Sequence, residues 1–242
     1  MYSTYANYDY PINVFVPNVP APPNGFPVLF VLDGQRYSEI IFSIMNNQIR
    51  MSAKTNVQPM IIVSVGHHNN DFMNRRFFDF TAPSESYTFP MRRGKQMEPK
   101  PVGNGLQFKN FLKYELQPYI LNHYAADATK FMLYGHSLGG LFSLWVSLTD
   151  SSLFAKYVAV SPSIWWNNHE LLQLLRLHEK LFTAPSAIYV GSDEGDMVDD
   201  AMTFYHHISS SNTVHDFFIA MHENHASVVP TTISKVLRFI ST

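Results

Sequence analysis

The sequence predicts an α/β fold: a mostly parallel central sheet with helices on both faces and an antiparallel strand at its N-terminal edge. Short apolar runs bounded by Gly, Pro, Asp and Ser recur along the chain, segments of helical spacing separate them, and the first run is flanked by prolines. The opening Ile12, Val14 and Val16 alternate between Pro11 and Pro17, which suits an edge strand, where a missing N–H costs least. The runs at 28–32, 60–65, 131–134, 157–160, 187–190 and 217–220 are read as buried strands. Phe108, Phe111, Leu112 and Leu116 keep a helical period, as do Leu141, Leu144, Trp145 and Leu148, and the leucines from Leu171 to Leu177. At 242 residues the chain is read as one domain, 1–242. The stretch 67–104 keeps neither period. It holds Arg75, Arg76, Arg92, Arg93, Lys95 and Lys100 among six Phe and Tyr rings, and is read as a long irregular segment forming a substrate rim.

Composition narrows the classes. Charged residues are 15% and aromatics 14% of the chain, which excludes intrinsic disorder. Seventeen basic against nineteen acidic residues, with no basic block, argue against nucleic acid and against a membrane surface as partners. With no cysteine, thiolate catalysis and thiolate metal sites are excluded. The first Lys or Arg is Arg36, and the opening stretch carries Pro11, Pro17, Pro20, Pro22 and Pro23, so no secretory leader is read and a cytoplasmic location is expected. The uncharged stretch between Lys130 and Asp150 is broken by Gly135, Gly139 and Gly140, so it is not read as a membrane span.

That stretch carries the chemistry. Gly135-His136-Ser137-Leu138-Gly139 follows a strand and precedes an amphipathic helix, the setting of a nucleophile elbow. Small residues either side of Ser137 admit a sharp turn, and the helix N-terminus behind it points the Leu138 amide at a developing oxyanion. A hydroxyl needs a base, and the partners of such a serine follow in the order acid, then histidine. His225, just past the run 217–220, is the expected base, with His215 and His222 as competitors. The acid should follow the run 187–190, where Asp193, Glu194 and Asp196 crowd together and spacing leaves all three open. The amide of Gln35, after the run 28–32, is the second expected oxyanion donor. His67-His68 and His206-His207 are adjacent pairs whose side chains diverge, so no catalytic metal and no cofactor are expected.

Several segments also carry a resemblance. Leu32-Asp33-Gly34, the elbow with Gly140, Leu141 and Phe142, Ser161-Pro162-Ser163-Ile164-Trp165-Trp166-Asn167 and Glu223-Asn224-His225-Ala226-Ser227 together resemble the siderophore esterase branch of the esterase family. That branch includes hydrolases of enterobactin, salmochelin and bacillibactin trilactones. The resemblance implies an α/β-hydrolase fold, Ser137 and His225 as the catalytic pair, and Glu194 as the acid; Ser192 stands where relatives often carry a further glutamate. It implies a small-molecule ester substrate, expected to be a catecholate trilactone, with Arg36, Arg75, Arg76, Trp165 and Trp166 meeting its rings and charge. The alternatives are a general carboxylesterase, a feruloyl-type esterase, an acyltransferase, and a hydrolase scaffold that only binds its ligand. Activity is expected to rise through about pH 6 to 7, where a free imidazole loses its proton.

Overall fold

Buried apolar runs become the strands of one sheet. The computed structural model describes residues 1–89, 91–92, 95–178, 183–211 and 213–242, and at Arg92, Lys95 and His178 the backbone alone. The sheet strands are β1 (Ile12–Phe15), β2 (Phe26–Leu32), β3 (Ile61–Val65), β4 (Ala126–His136), β5 (Lys156–Val160), β6 (Ser186–Gly191) and β7 (His215–Ala220). Their order across the sheet is β7-β6-β5-β4-β2-β3-β1. All pairs are parallel except β1 with β3, where Ile12 faces Val65 in antiparallel register.

Helices cover both faces. On one side lie α1 (Gly34–Ile49) and α8 (Val228–Ser241); on the other lie α2 (Phe72–Asp79), α3 (Gly105–Phe111), α4 (Gln117–His123), α5 (Leu138–Thr149), α6 (Trp166–His178) and α7 (Asp196–Ile208). The two-residue period of β2 splits its side chains between the layers: Leu29 and Val31 pack with Ile41, Met45 and Val236, while Val28, Phe30 and Leu32 pack with Phe108, Phe142 and Leu144. Among the described residues no helix is long and apolar enough to cross a membrane.

The stretch 67–104 departs from its expected irregularity, because it contains α2 and an antiparallel ribbon pairing Met91–Arg92 with Lys95–Gln96. The helix escapes a hydrophobic period because two inward positions are taken by Arg75 and Arg76. Each is held by a buried carboxylate: Arg75 Nε donates to Asp79 Oδ2 at 2.8 Å, and Arg76 Nε to Asp33 Oδ1 at 2.7 Å. Asp79 is fully buried and also takes Tyr10 Oη (2.7 Å), His67 Nε2 (3.1 Å) and Asn104 Nδ2 (2.8 Å). The first and last residues of the stretch, His67 and Asn104, therefore close on one carboxylate. Arg93 lies outside the described residues, as do the side chains of Arg92 and Lys95.

Candidate active site

The order in which the parallel strands are added reverses between β2 and β4, and in open α/β sheets such a switch point opens a crevice beyond the carboxyl ends of the strands. Two tight turns face it. At the end of β4, Ser137 adopts φ 61°, ψ −118°, a backbone conformation costly for a residue with a Cβ. Gly135 makes the turn possible, since a Cβ there would lie 2.0 Å from the Gly139 carbonyl oxygen. The strained turn is tied down: Ser137 N–H donates to the Val160 carbonyl at 3.0 Å, and its own carbonyl accepts from Leu141 N (2.9 Å) and Ser163 N (3.1 Å). Helix α5 begins at Leu138, which places that amide in the first turn. At the end of β2, Asp33 is left-handed at φ 52°, and Gly34 lies where a Cβ would meet Ser64 Cα at 2.6 Å. Helix α1 starts there, with Gln35 in its first turn, and the Arg76–Asp33 ion pair fixes the loop from below.

The other two groups come from the ends of β6 and β7. His225 Nε2 lies 3.0 Å from Ser137 Oγ, and its Nδ1 lies 2.6 Å from Glu194 Oε2. The second Glu194 oxygen accepts from Ser161 Oγ at 2.5 Å and from the Gly191 amide at 2.8 Å. Burial pushes the Glu194 carboxyl upward, but the hydrogen bonds from His225, Ser161 and Gly191 outweigh it, so its pKa falls below the usual carboxylate value. A carboxylate held ionised at Nδ1 leaves Nε2 of a neutral imidazole free to accept a proton. Of the three acids open in sequence, the structure brings Glu194 to His225; Asp193 and Asp196 are exposed, and Asp193 accepts from Ser192 Oγ at 2.9 Å. His215 begins β7, at the end away from the elbow, and His222 is exposed.

Two serines contribute that sequence reasoning did not assign. Ser161 is left-handed at φ 45° and fully buried, which aims its hydroxyl at Glu194. Ser163 Oγ lies 3.2 Å from Ser137 Oγ. Both sit at the end of the run 157–160, beside the elbow strand in the sheet, and that adjacency was the available signal. Ser163→Ala is expected to slow acylation of Ser137 by about fivefold, one ordinary hydrogen bond, with an unchanged melting curve; the rate of fluorophosphonate labelling checks it.

The residues expected to meet substrate separate. Trp165 lines an open cleft of about 820 Å³ with Ser137, His225, Met97, Met197 and Asn224. Trp166 does not reach it: it is 2% exposed and packs against Phe77, Tyr87 and Phe89. Arg75 and Arg76 are likewise buried, their guanidinium groups committed to Asp79 and Asp33, so neither offers free charge to a ligand. Arg36 is exposed on the first turn of α1, its guanidinium 4.2 Å from the centre of the Phe72 ring.

A seven-stranded sheet of this order, with a strained serine beyond its fourth strand and a histidine beyond its last, defines an α/β-hydrolase. The chain belongs to the Esterase family (Putative esterase), whose model matches residues 3–232. It is 32% identical over 253 residues to the ferri-bacillibactin esterase BesA of Bacillus subtilis, covering 99% of this chain and 87% of that one. The crystal structure of the BES protein from Bacillus cereus superposes with a TM-score of 0.90 at 36% identity, over 100% of this chain and 94% of that one. The enterobactin hydrolase IroE in complex with DFP superposes with a TM-score of 0.74 at 25% identity, over 97% and 95% of the two chains.

Proposed function

We propose that the protein is a serine hydrolase of aromatic siderophore esters, with a catecholate trilactone as its substrate and Ser137, His225 and Glu194 as its triad. The observation that carries the reading is the unbroken line from Ser137 Oγ through both ring nitrogens of His225 to Glu194. His225 Nε2 takes the Ser137 proton as Oγ attacks the ester carbonyl, and the amides of Leu138 and Gln35 donate to the oxyanion. The imidazolium then gives its proton to the departing alcohol, leaving an acyl-enzyme. Water repeats the sequence on that ester: His225 takes its proton, the hydroxide adds, and Ser137 leaves with the proton returned. Glu194 stays ionised throughout, orienting the imidazole and offsetting its charge.

For the substrate, three features speak. Relatives named for bacillibactin and enterobactin match nearly the whole chain. The cleft falls in the size range of small-ligand sites, and Trp165, Met97 and Met197 give it apolar faces for flat rings. Exposed Arg36, on the turn that carries the Gln35 amide, supplies positive charge on that side for an anionic ligand. The test is side-by-side turnover of a ferric catecholate trilactone, its iron-free form, a feruloyl ester and a short nitrophenyl ester. The trilactones are expected to give the highest kcat/KM; preference for the short ester by tenfold or more would reject the siderophore assignment.

Acid should uncouple the site in a defined direction. Because folding lowers the Glu194 pKa, its carboxylate contributes stability that is complete above the unfolded value of about 4.3 and is lost as pH falls through the lower folded value. In urea unfolding, the stability advantage of wild type over Glu194→Gln is expected to shrink below about pH 4, where the carboxylate takes up its proton. An advantage that stayed unchanged between about pH 5 and about pH 3 would contradict a carboxylate held ionised by its hydrogen bonds.

A further inference from the structure

His225 is an exposed base. Its side chain is 45% accessible, in a loop beyond an edge strand, so packing alone does not fix the ring. Glu194 holds one ring nitrogen, and the other meets only the Ser137 hydroxyl whose proton it is proposed to take, so the ring depends on how its backbone is held. Something must hold the backbone from which the ring hangs.

The loop is braced by bonds at Glu223, Asn224 and Ser227, and the His225 carbonyl itself is held by the residue before the nucleophile. His136 is 5% exposed, and its Nε2 lies 3.1 Å from the His225 carbonyl oxygen. A carbonyl only accepts, so Nε2 carries the proton and Nδ1 is left as an acceptor. Tyr37 Oη lies 2.9 Å from that Nδ1 and donates to it. The Tyr37 ring is edge-on to His136, with centroids 5.5 Å apart, and Tyr37 lies two residues beyond Gln35 on α1. We infer that Tyr37 and His136 form a positioning pair that ties the oxyanion turn, the elbow and the His225 backbone into one unit, so that base and oxyanion donors keep a fixed distance from Ser137. This rests on the reading of His225 as the base.

The charge state of the pair suits the role. Burial, with His225, Arg76 and Arg36 nearby, pushes the His136 pKa down to about 3, so the ring is neutral wherever the base works. A charged ring there, 4.6 Å from the His225 ring between centroids, would oppose the imidazolium that the reaction forms. Burial likewise pushes the Tyr37 hydroxyl upward, with Asp33 adding to it, which keeps it a donor.

The experiment is the labelling rate of Ser137 by a fluorophosphonate across pH, in wild type, Tyr37→Phe, His136→Ala and His136→Gln, at a temperature where circular dichroism finds each folded. Tyr37→Phe and His136→Ala are expected to label about tenfold more slowly, the cost of a loosely held base, and to stay slow at alkaline pH, where a mere shift in proton affinity would be overcome. His136→Gln, whose amide can replace the Nε2 donor, is expected to recover most of the loss over His136→Ala. Tyr37→Phe labelling at the wild-type rate, or Gln no better than Ala, overturns the pair. If His136→Ala does not fold, Tyr37→Phe against wild type decides. Wild type that fails to label overturns the catalytic reading itself, a separate result.

Discussion

Ser137→Ala is expected to lower ester turnover by at least about a thousandfold and to leave the melting temperature within a few degrees of wild type, because the hydroxyl it deletes is the proposed nucleophile and the strained turn gains nothing from it. The magnitude follows from the division of labour at the site. Without Oγ the Leu138 and Gln35 amides, the proposed oxyanion donors, would still polarise a carbonyl, so a residual rate above water is expected. His225→Ala should cost nearly as much, and the double variant little more than either, since a serine without its base and a base without its serine are both idle. Steady-state kinetics on one ester with the three variants checks this. Additive losses would mean that the two residues act in separate steps, and the triad of His225, Ser137 and Glu194 would have to be abandoned.

Asp79→Ala destabilises the fold by about 3 kcal/mol or more, roughly 10 °C in melting temperature for a chain of this size. Removing the carboxylate leaves Arg75 charged and nearly enclosed, and strips Tyr10, His67 and Asn104 of their shared acceptor in a site closed to water. The damage should reach the whole stretch 67–104, whose two ends meet there. Differential scanning calorimetry measures the effect, and limited proteolysis should find new cleavage between residues 67 and 104. An unchanged transition would show that the network is dispensable.

Much of this was legible in the amino acids. Strands buried on both faces read as unbroken apolar runs, and β2, β3, β5 and β6 are such strands. The elbow was legible because its chemistry is local: a glycine two residues before the serine and a helix directly behind it. The resemblance points to Glu194 as the acid, but spacing alone leaves it open, because Asp193, Glu194 and Asp196 differ only in where a turn aims them, and the Gly191 amide and Ser161 hydroxyl that hold Glu194 come from separate strands. Helix α2 stayed hidden for the opposite reason. Its inward positions hold arginines, and their partners Asp33 and Asp79 are fully buried acids that no hydropathy pattern marks. The leucines of α6 predicted a helix, but Asn167, Asn168 and His169 at its start are all left-handed. In that turn Asn167 Oδ1 accepts the Thr88 amide at 2.8 Å, bracing the rim against the segment that presents Trp165.

The position of the proposed base just beyond the last strand bears on how the molecule comes into being. A ribosome delivers Ser137 long before His225, and β7 pairs with β6, so a nascent chain can hold the elbow residues and still lack the proposed base and the last helix that covers one face of the sheet. On the proposed triad, the site is complete only when that edge strand has docked. The same dependence runs in reverse on warming: margins of sheets open more readily than their centres, so heat should silence the molecule before it melts.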